Sequence, residues 1–393
     1  MSKPAPKRKA RHRNRGVLAY QQLRTLVHDG VISAKVPIAD AQFQPASLDL
    51  RLGETAYRML SSFLPGHTEV EENLAVQDLF SSDMVMYELD LRKSAVLEKG
   101  HVYLIPLMEE LALPGTLAAK TNPKSTTGRL DVFTRTITDS HARFDEIRPG
   151  YKGRLYLEVV PRSFSIRVSS GMCLNQLRVV SGHPTVGDNE LRTWHKADPL
   201  LYGEQTPIPG KALTLDDGLF LRINLAGTDG PAGTDRPIGF RAKKSSQVLD
   251  LSRIGHYDPT DFWEPIMRNR QETVLLEPED FYILLSKERI RIPPGYAAEM
   301  VAYEAACGEL RTHYAGFFDP GFGYGDGDLH GTPIVLEVRA HDVPFLIRDG
   351  QTFFKVLFER MHERPDKVYG QGIGSSYQFQ NLTLSKHFKP SQG

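Results

Sequence analysis

Cysteine is nearly absent from this chain. Only Cys173 and Cys307 occur among 393 residues. Two thiols cannot build a disulfide framework or a cysteine-rich zinc site. They read as small buried apolar residues in a reducing, cytoplasmic setting. Long apolar runs are also missing. None approaches the roughly 18 residues a membrane span needs, and no apolar stretch follows the basic N-terminus as a secretory leader would. Net charge is zero, with 48 basic and 48 acidic residues, so the body does not resemble a dedicated nucleic-acid surface. The local exception is MSKPAPKRKARHRNR, with seven Lys or Arg and no acid. It reads as a solvated tail that at most touches a polyanion weakly.

What the chain does have is a repeat. VLEKGHVYLIPLMEELALPGTLAAKTNPKSTTGRL from Val96 corresponds to LLEPEDFYILLSKERIRIPPGYAAEMVAYEAACGEL from Leu275. Tyr103 matches Tyr282, and Gly128-Arg129-Leu130 matches Gly308-Glu309-Leu310. Downstream, LYLEVVP around Glu158 matches IVLEVRA around Glu337, and GMCLNQLRVV from Gly171 matches GQTFFKVLFERM from Gly350. Two copies of one unit imply two similar lobes, in keeping with the two domains expected at this length.

Most segments are short, β-rich and punctuated by Gly or Pro, the pattern of an all-β barrel or sandwich with few helices. VLAYQQLRTLVHDG predicts a helix with Leu18, Leu23 and Val27 on one face and Gly30 as its stop. In ASLDLRLG, Leu48, Leu50 and Leu52 alternate with Asp49 and Arg51 as in a strand. The reading is mainly β: a basic tail over 1–16, a first lobe over 17–180, a polar linker over 181–216, a degenerate second lobe over 217–360 and a Gly/Ser/Gln-rich arm over 361–393. The glycines at 370, 372 and 374 lack the strand–turn–helix context of a dinucleotide site and suit a closing arm. His256, Asp258 and Asp261 read as an acidic surface loop with Phe262 and Trp263 turned inward. Asp139 and His141 fit no metal motif.

The chemistry concentrates at NPKSTTGR, residues 122–129. Lysine, hydroxyl residues, glycine and arginine together suit phosphate recognition: fixed positive charge, hydroxyl donors and a turning backbone. The second copy offers Glu304-Ala305-Ala306-Cys307-Gly308-Glu309 there. Two carboxylates would repel a triphosphate, so the repeat itself argues that the first loop binds an anion and the second does not. Glu158 and Glu337 sit in apolar strand runs. An acid there is either solvent-facing or held in a pocket that raises its pKa for acid–base work.

PASLDLRLG, KSTTGR, PGYKGRLYLE, GMCLNQL and the terminal SYQFQNLTLS, in this order, resemble the dCTP deaminases of the trimeric deoxyuridine-triphosphatase superfamily. This chain looks like a long, internally duplicated form. The resemblance implies a distorted β-barrel in each lobe, homotrimeric assembly with nucleotide sites at subunit interfaces, dCTP as substrate, Mg²⁺ accompanying the triphosphate and no zinc. It implies Lys124, Ser125, Thr126 and Arg129 in the phosphate loop, Glu158 as catalytic acid, and Tyr377, Gln378 and Gln380 in an arm over the nucleotide. Gln176 would line the site. The expected reaction is hydrolysis of dCTP to dUTP and ammonia, in which Glu158 moves protons, Ser125 holds the water and Arg129 supports the intermediate. The alternatives are a bifunctional enzyme that also cleaves dUTP, or a nucleotide-binding regulator without turnover.

The family's Asp-Pro-Gly is Arg148-Pro149-Gly150 in the first copy and intact as Asp319-Pro320-Gly321 in the second. Two arrangements follow. Copy-one lobes could form complete sites among themselves, the preferred arrangement, or a composite site could join the first loop to Glu337 and Asp319.

Overall fold

The computed structural model describes residues 15–63, 76–139, 143–227, 236–301, 310–312, 316–340, 342–370, 377–378 and 380–390. The basic tail up to residue 14, His141, the second-copy loop at 302–309 with Cys307, and Gly372 and Gly374 lie outside them. Among the described residues, no helix is long and apolar enough to cross a membrane.

The fold is mainly β, and the repeat is visible strand by strand. In the first half, Thr55–Met59, Tyr103–Ala112, Lys152–Pro161 and Val132–Thr138 lie side by side in that order. In the second half, Gly239–Ala242, Phe281–Ile290, Thr332–Ala340 and Leu310–Thr312 repeat the order. A further sheet joins Leu48–Arg51 to Cys173–Ser181, then to Leu117–Pro123. Its counterpart joins Leu219–Arg222 to Thr352–Arg360, then to Tyr296–Val301. Near-continuous apolar runs make the central strands, because both of their faces are covered. Lys152–Pro161, for instance, buries Leu155, Tyr156, Leu157 and Val159 in succession.

The expected helix spans Tyr20–His28 and ends before Gly30, whose φ of 74° glycine accepts readily. The Leu48–Arg51 strand departs from the half-exposed alternation read in its sequence. All four residues are buried, because the polar face is covered too. Arg51 is neutralised by buried Glu109, 2.7 Å away, and Asp49 by Lys124. Cys173 is half-buried rather than buried, and burial pushes its thiol up to about 12. Phe262 and Trp263 are turned inward, while Asp258 caps the short helix that follows it.

The stretch read as a linker belongs to the second half. It carries the helix Asp188–Ala197, and Val186, Leu191, Leu200, Leu201 and Leu213 enter the second core. The two halves are also not separate beads. The core centred on the first half takes in Phe240, Trp263, Phe281 and Phe388, and Ile166–Val168 pairs in parallel with Leu249–Asp250.

Charge clamps reinforce the seam. Arg178, fully buried on the first half, donates to Glu359 at 2.9 Å and to the carbonyls of Ala298 and Phe318 on the second. Lys120 joins the same cluster through Glu299 and Glu359. Removing one partner of a buried pair costs about 3–5 kcal/mol, because the other charge is left desolvated. Arg178→Ala should therefore lower unfolding free energy by about that amount. Equilibrium denaturation measures it, and a loss under about 1 kcal/mol would show that the seam does not need this clamp.

Candidate active site

The phosphate-type loop begins where the strand Leu117–Pro123 ends. Lys124 donates its backbone N–H to the Leu174 carbonyl, and its own carbonyl accepts from Thr127 and Gly128, closing one helical turn over Ser125–Gly128. Thr127 fastens the turn through a 2.9 Å hydroxyl bond to Leu174. Thr127 is thus structural, which leaves Lys124, Ser125, Thr126 and Arg129 at the wall of a cavity of about 350 Å³.

The far wall comes from the second half. Asp319 and Phe322 stand at the Asp-Pro-Gly turn, where φ is 96° at Gly321 and 64° at Gly323, values that L side chains rarely adopt. Glu337, from the strand Thr332–Ala340, faces the loop directly. A Cβ added to Gly128 would lie 2.5 Å from Glu337 Oε2, so the glycine is what lets the carboxyl group rest against the loop. Burial pushes Glu337 up to about 8, helped by Asp131 and opposed by the nearby Arg129 guanidinium. Burial likewise pushes Asp319 up to about 6, opposed by Arg178 and helped by Asp49. Asp49 Oδ1, Asp319 Oδ1 and Arg129 Nε are buried without a hydrogen-bond partner. Orphaned polar atoms at a cavity wall are positions a ligand can satisfy.

The C-terminal segment closes the third side. Arg129 stacks its guanidinium 3.8 Å from the Tyr377 ring and donates to Gln380 Oε1 at 2.6 Å and to the Thr383 carbonyl at 2.8 Å. Ser385 donates to the Thr126 carbonyl at 3.0 Å. The arm of one chain thus folds onto the loop of that same chain.

The structure sorts the candidate residues. Lys124, Ser125, Thr126, Arg129, Gln176, Asp319, Glu337, Tyr377 and Gln380 share the cavity. Gln378 does not line it. Its side chain donates to the Gly321 carbonyl and accepts from Gly323 N–H, and so holds the Asp-Pro-Gly turn. Glu158 is also elsewhere. It lies opposite Arg135 on the adjacent strand, and the pair closes at 2.5 Å, with Ser62 donating to the other carboxylate oxygen at 2.7 Å. Within one chain Glu158 therefore does not share the loop's cavity, and a local ion pair holds its carboxylate; the preferred arrangement, in which first-copy lobes of different chains meet, would bring it to another chain's loop. Among the contributors unnoticed in the sequence are Asp49, Tyr369 and Lys386. Asp49 was hidden because a strand acid reads as solvent-facing.

Comparison with known proteins identifies the family. The N-terminal domain model of 2'-deoxycytidine 5'-triphosphate deaminase matches residues 14–183, and the C-terminal domain model matches residues 187–388. The chain belongs to the dCTP deaminase family. It is an enzyme of the hydrolytic deaminase class. A dCTP deaminase structure from Agrobacterium tumefaciens superposes with a TM-score of 0.81 at 41% identity, covering 90% of this chain and 99% of that one. Relatives that match part of the chain include proteins named "dCTP deaminase, dUMP-forming" from Sulfurihydrogenibium sp., 26% identical over 41% of this chain and 81% of its own length, and from Dictyoglomus thermophilum, 33% identical over 31% and 58%. One from Pyrococcus horikoshii, named "dCTP deaminase", is 24% identical over 40% and 85%.

Two outcomes follow for this dCTP deaminase family member. Gly128→Ala should push the Glu337 carboxyl away and cut turnover by at least tenfold. The melting temperature should stay within a few degrees, because the clash is with a side-chain tip; unchanged turnover would show that the contact is idle. Second, folded Glu337 keeps its proton up to about pH 8, whereas an unfolded carboxyl releases it near 4.5. This group's contribution to stability therefore falls as pH rises between those values. Glu337→Gln should be more stable than the parent at pH 8 by about 2–4 kcal/mol, with the gain fading toward pH 5. Unfolding curves at both pH values check the sign.

Proposed function

We propose that this chain hydrolyses dCTP at C4 of the cytosine ring, giving dUTP and ammonia, in a composite site made by both halves of one chain. The carrying observation is the contact between Glu337 and Gly128, which sets a proton-transfer group against the phosphate-type loop. Mg²⁺ enters with the triphosphate as part of the substrate, and the reading calls on no zinc. Lys124 and Thr126 take phosphate oxygens. The pyrimidine lies toward Glu337 and Asp319.

With an ionisation near 8, Glu337 can both accept and return a proton at neutral pH. In its ionised form, the minor one at neutral pH, it removes a proton from a water held by Ser125 as the water oxygen bonds to C4. The proton passes to the ring nitrogen. A second transfer protonates the exocyclic amine, the C4–N bond breaks, ammonia leaves and the C4 carbonyl forms. Arg129 is held rigid by Tyr377, Gln380 and Thr383; its fixed positive charge stabilises the tetrahedral species. All of these groups belong to one chain, so the reading takes none of them from a second subunit of the homotrimer expected from the resemblance.

The relatives named dUMP-forming favour a second reading, in which dUTP is cleaved further to dUMP and pyrophosphate. Product analysis separates the two: ammonia with dUTP supports deamination alone, whereas dUMP and pyrophosphate support the second. Glu337→Gln should bind dCTP and lose about 10²–10⁴-fold in kcat. Glu158→Gln should turn over near the parent rate once folded. An inactive Glu158→Gln beside an active Glu337→Gln would move the chemistry to the first half.

A further inference from the structure

Most cations around the cavity are already engaged. Arg129 is committed to Gln380, Thr383 and Tyr377. Lys124 is paired with buried Asp49. Lys386 differs. It lines the same cavity and an adjoining hollow of about 200 Å³ behind the loop, shared with Lys124 and Thr126. Among the described residues, its ammonium makes no ion pair or hydrogen bond at contact distance, although it feels the Asp49 carboxylate that Lys124 pairs with.

Its position is nevertheless built. On one side, buried Ser385 donates to the Thr126 carbonyl at 3.0 Å. On the other, buried His387 bonds the Leu251 carbonyl at 3.2 Å, and Phe388 is packed in the core. The Lys386 carbonyl itself accepts from Gly255 at 2.9 Å. Anchors on both sides hold the backbone of Lys386 beside the loop. Although Lys386 is an exposed residue overall, desolvation beside the loop and the neighbouring Lys124 push its ammonium down from its ordinary value, opposed by Asp49 and Cys173. A like-charged pair of lysines at a cavity mouth is costly when empty and favourable around a polyanion.

We propose that Lys386 binds the outer phosphates of the nucleotide triphosphate, and so sets the preference for the triphosphate over the monophosphate. The proposal rests on the dCTP reading above and adds a specificity residue to it. A triphosphate reaches past Lys124 and finds three free N–H donors at Lys386. A monophosphate ends at the loop.

Steady-state kinetics test it. Lys386→Ala should raise KM for dCTP about tenfold, the worth of one charge-assisted contact, with kcat within about twofold. Lys386→Arg should restore most of the affinity. Inhibition by dCMP should be equal in the parent and Lys386→Ala, and the salt dependence of the dCTP KM should be shallower in the variant. An unchanged KM, or dCTP and dCMP weakened alike, would overturn the role. Should Lys386→Ala fail to fold, Lys386→Gln applies the same criteria. The parent chain is the control for the underlying reading: if it releases no ammonia from dCTP, that reading has failed independently of Lys386.

Discussion

The site depends on one contact between the two halves: a buried carboxyl, Glu337, resting on the glycine of a cationic loop. Each half lacks what the other supplies. The first carries Lys124, the hydroxyls and Arg129; the second carries Glu337 and the Asp-Pro-Gly turn with Asp319. Neither half could offer this cavity alone. The seam must therefore be strong, and it is sealed by shared apolar packing and by charges that are buried only because they are paired. Arg178 shows how seam and site are coupled: it bonds the Phe318 carbonyl and also lowers the cost of ionising Asp319, which lines the cavity.

The acids in the cavity carry raised pKa values because the walls exclude water, not because acids crowd one another; burial dominates at both Glu337 and Asp319. A carboxyl near 8 costs stability at neutral pH. Such a cost, set beside orphaned polar atoms, marks a site kept for chemistry rather than for folding. Arg129 shows the complementary strategy. Its charge is permanent, so the protein fixes its position, with a ring beneath the guanidinium and two oxygens at its edge.

Much of the fold was legible. The duplication announced two equivalent sets of sheets, and the central strands of the first half have their counterparts in the order the repeat implies. The loop was legible too, because phosphate chemistry needs an unusual mixture of residues and the second copy lacks it. Which glutamate faces the loop within the chain was not. Glu158 and Glu337 occupy the same position in nearly identical strings. What separates them is Arg135, which only strand register places opposite Glu158. Asp-Pro-Gly, intact in the second copy alone, was the available hint. The polar stretch over 181–216 misled because its few apolar residues are spread among prolines and charges, yet five of them enter a core. Lys386 left no signal, since its place beside the loop is set by anchors far away in sequence.

The central claim, that the site joins the two halves of one chain, is tested most directly by the crystal structure of the Glu337→Gln protein bound to dCTP. The account predicts the triphosphate against Lys124 and Arg129, with the cytosine C4 facing residues 319 and 337 of the same chain. A nucleotide whose ring lies beside Glu158 would contradict it.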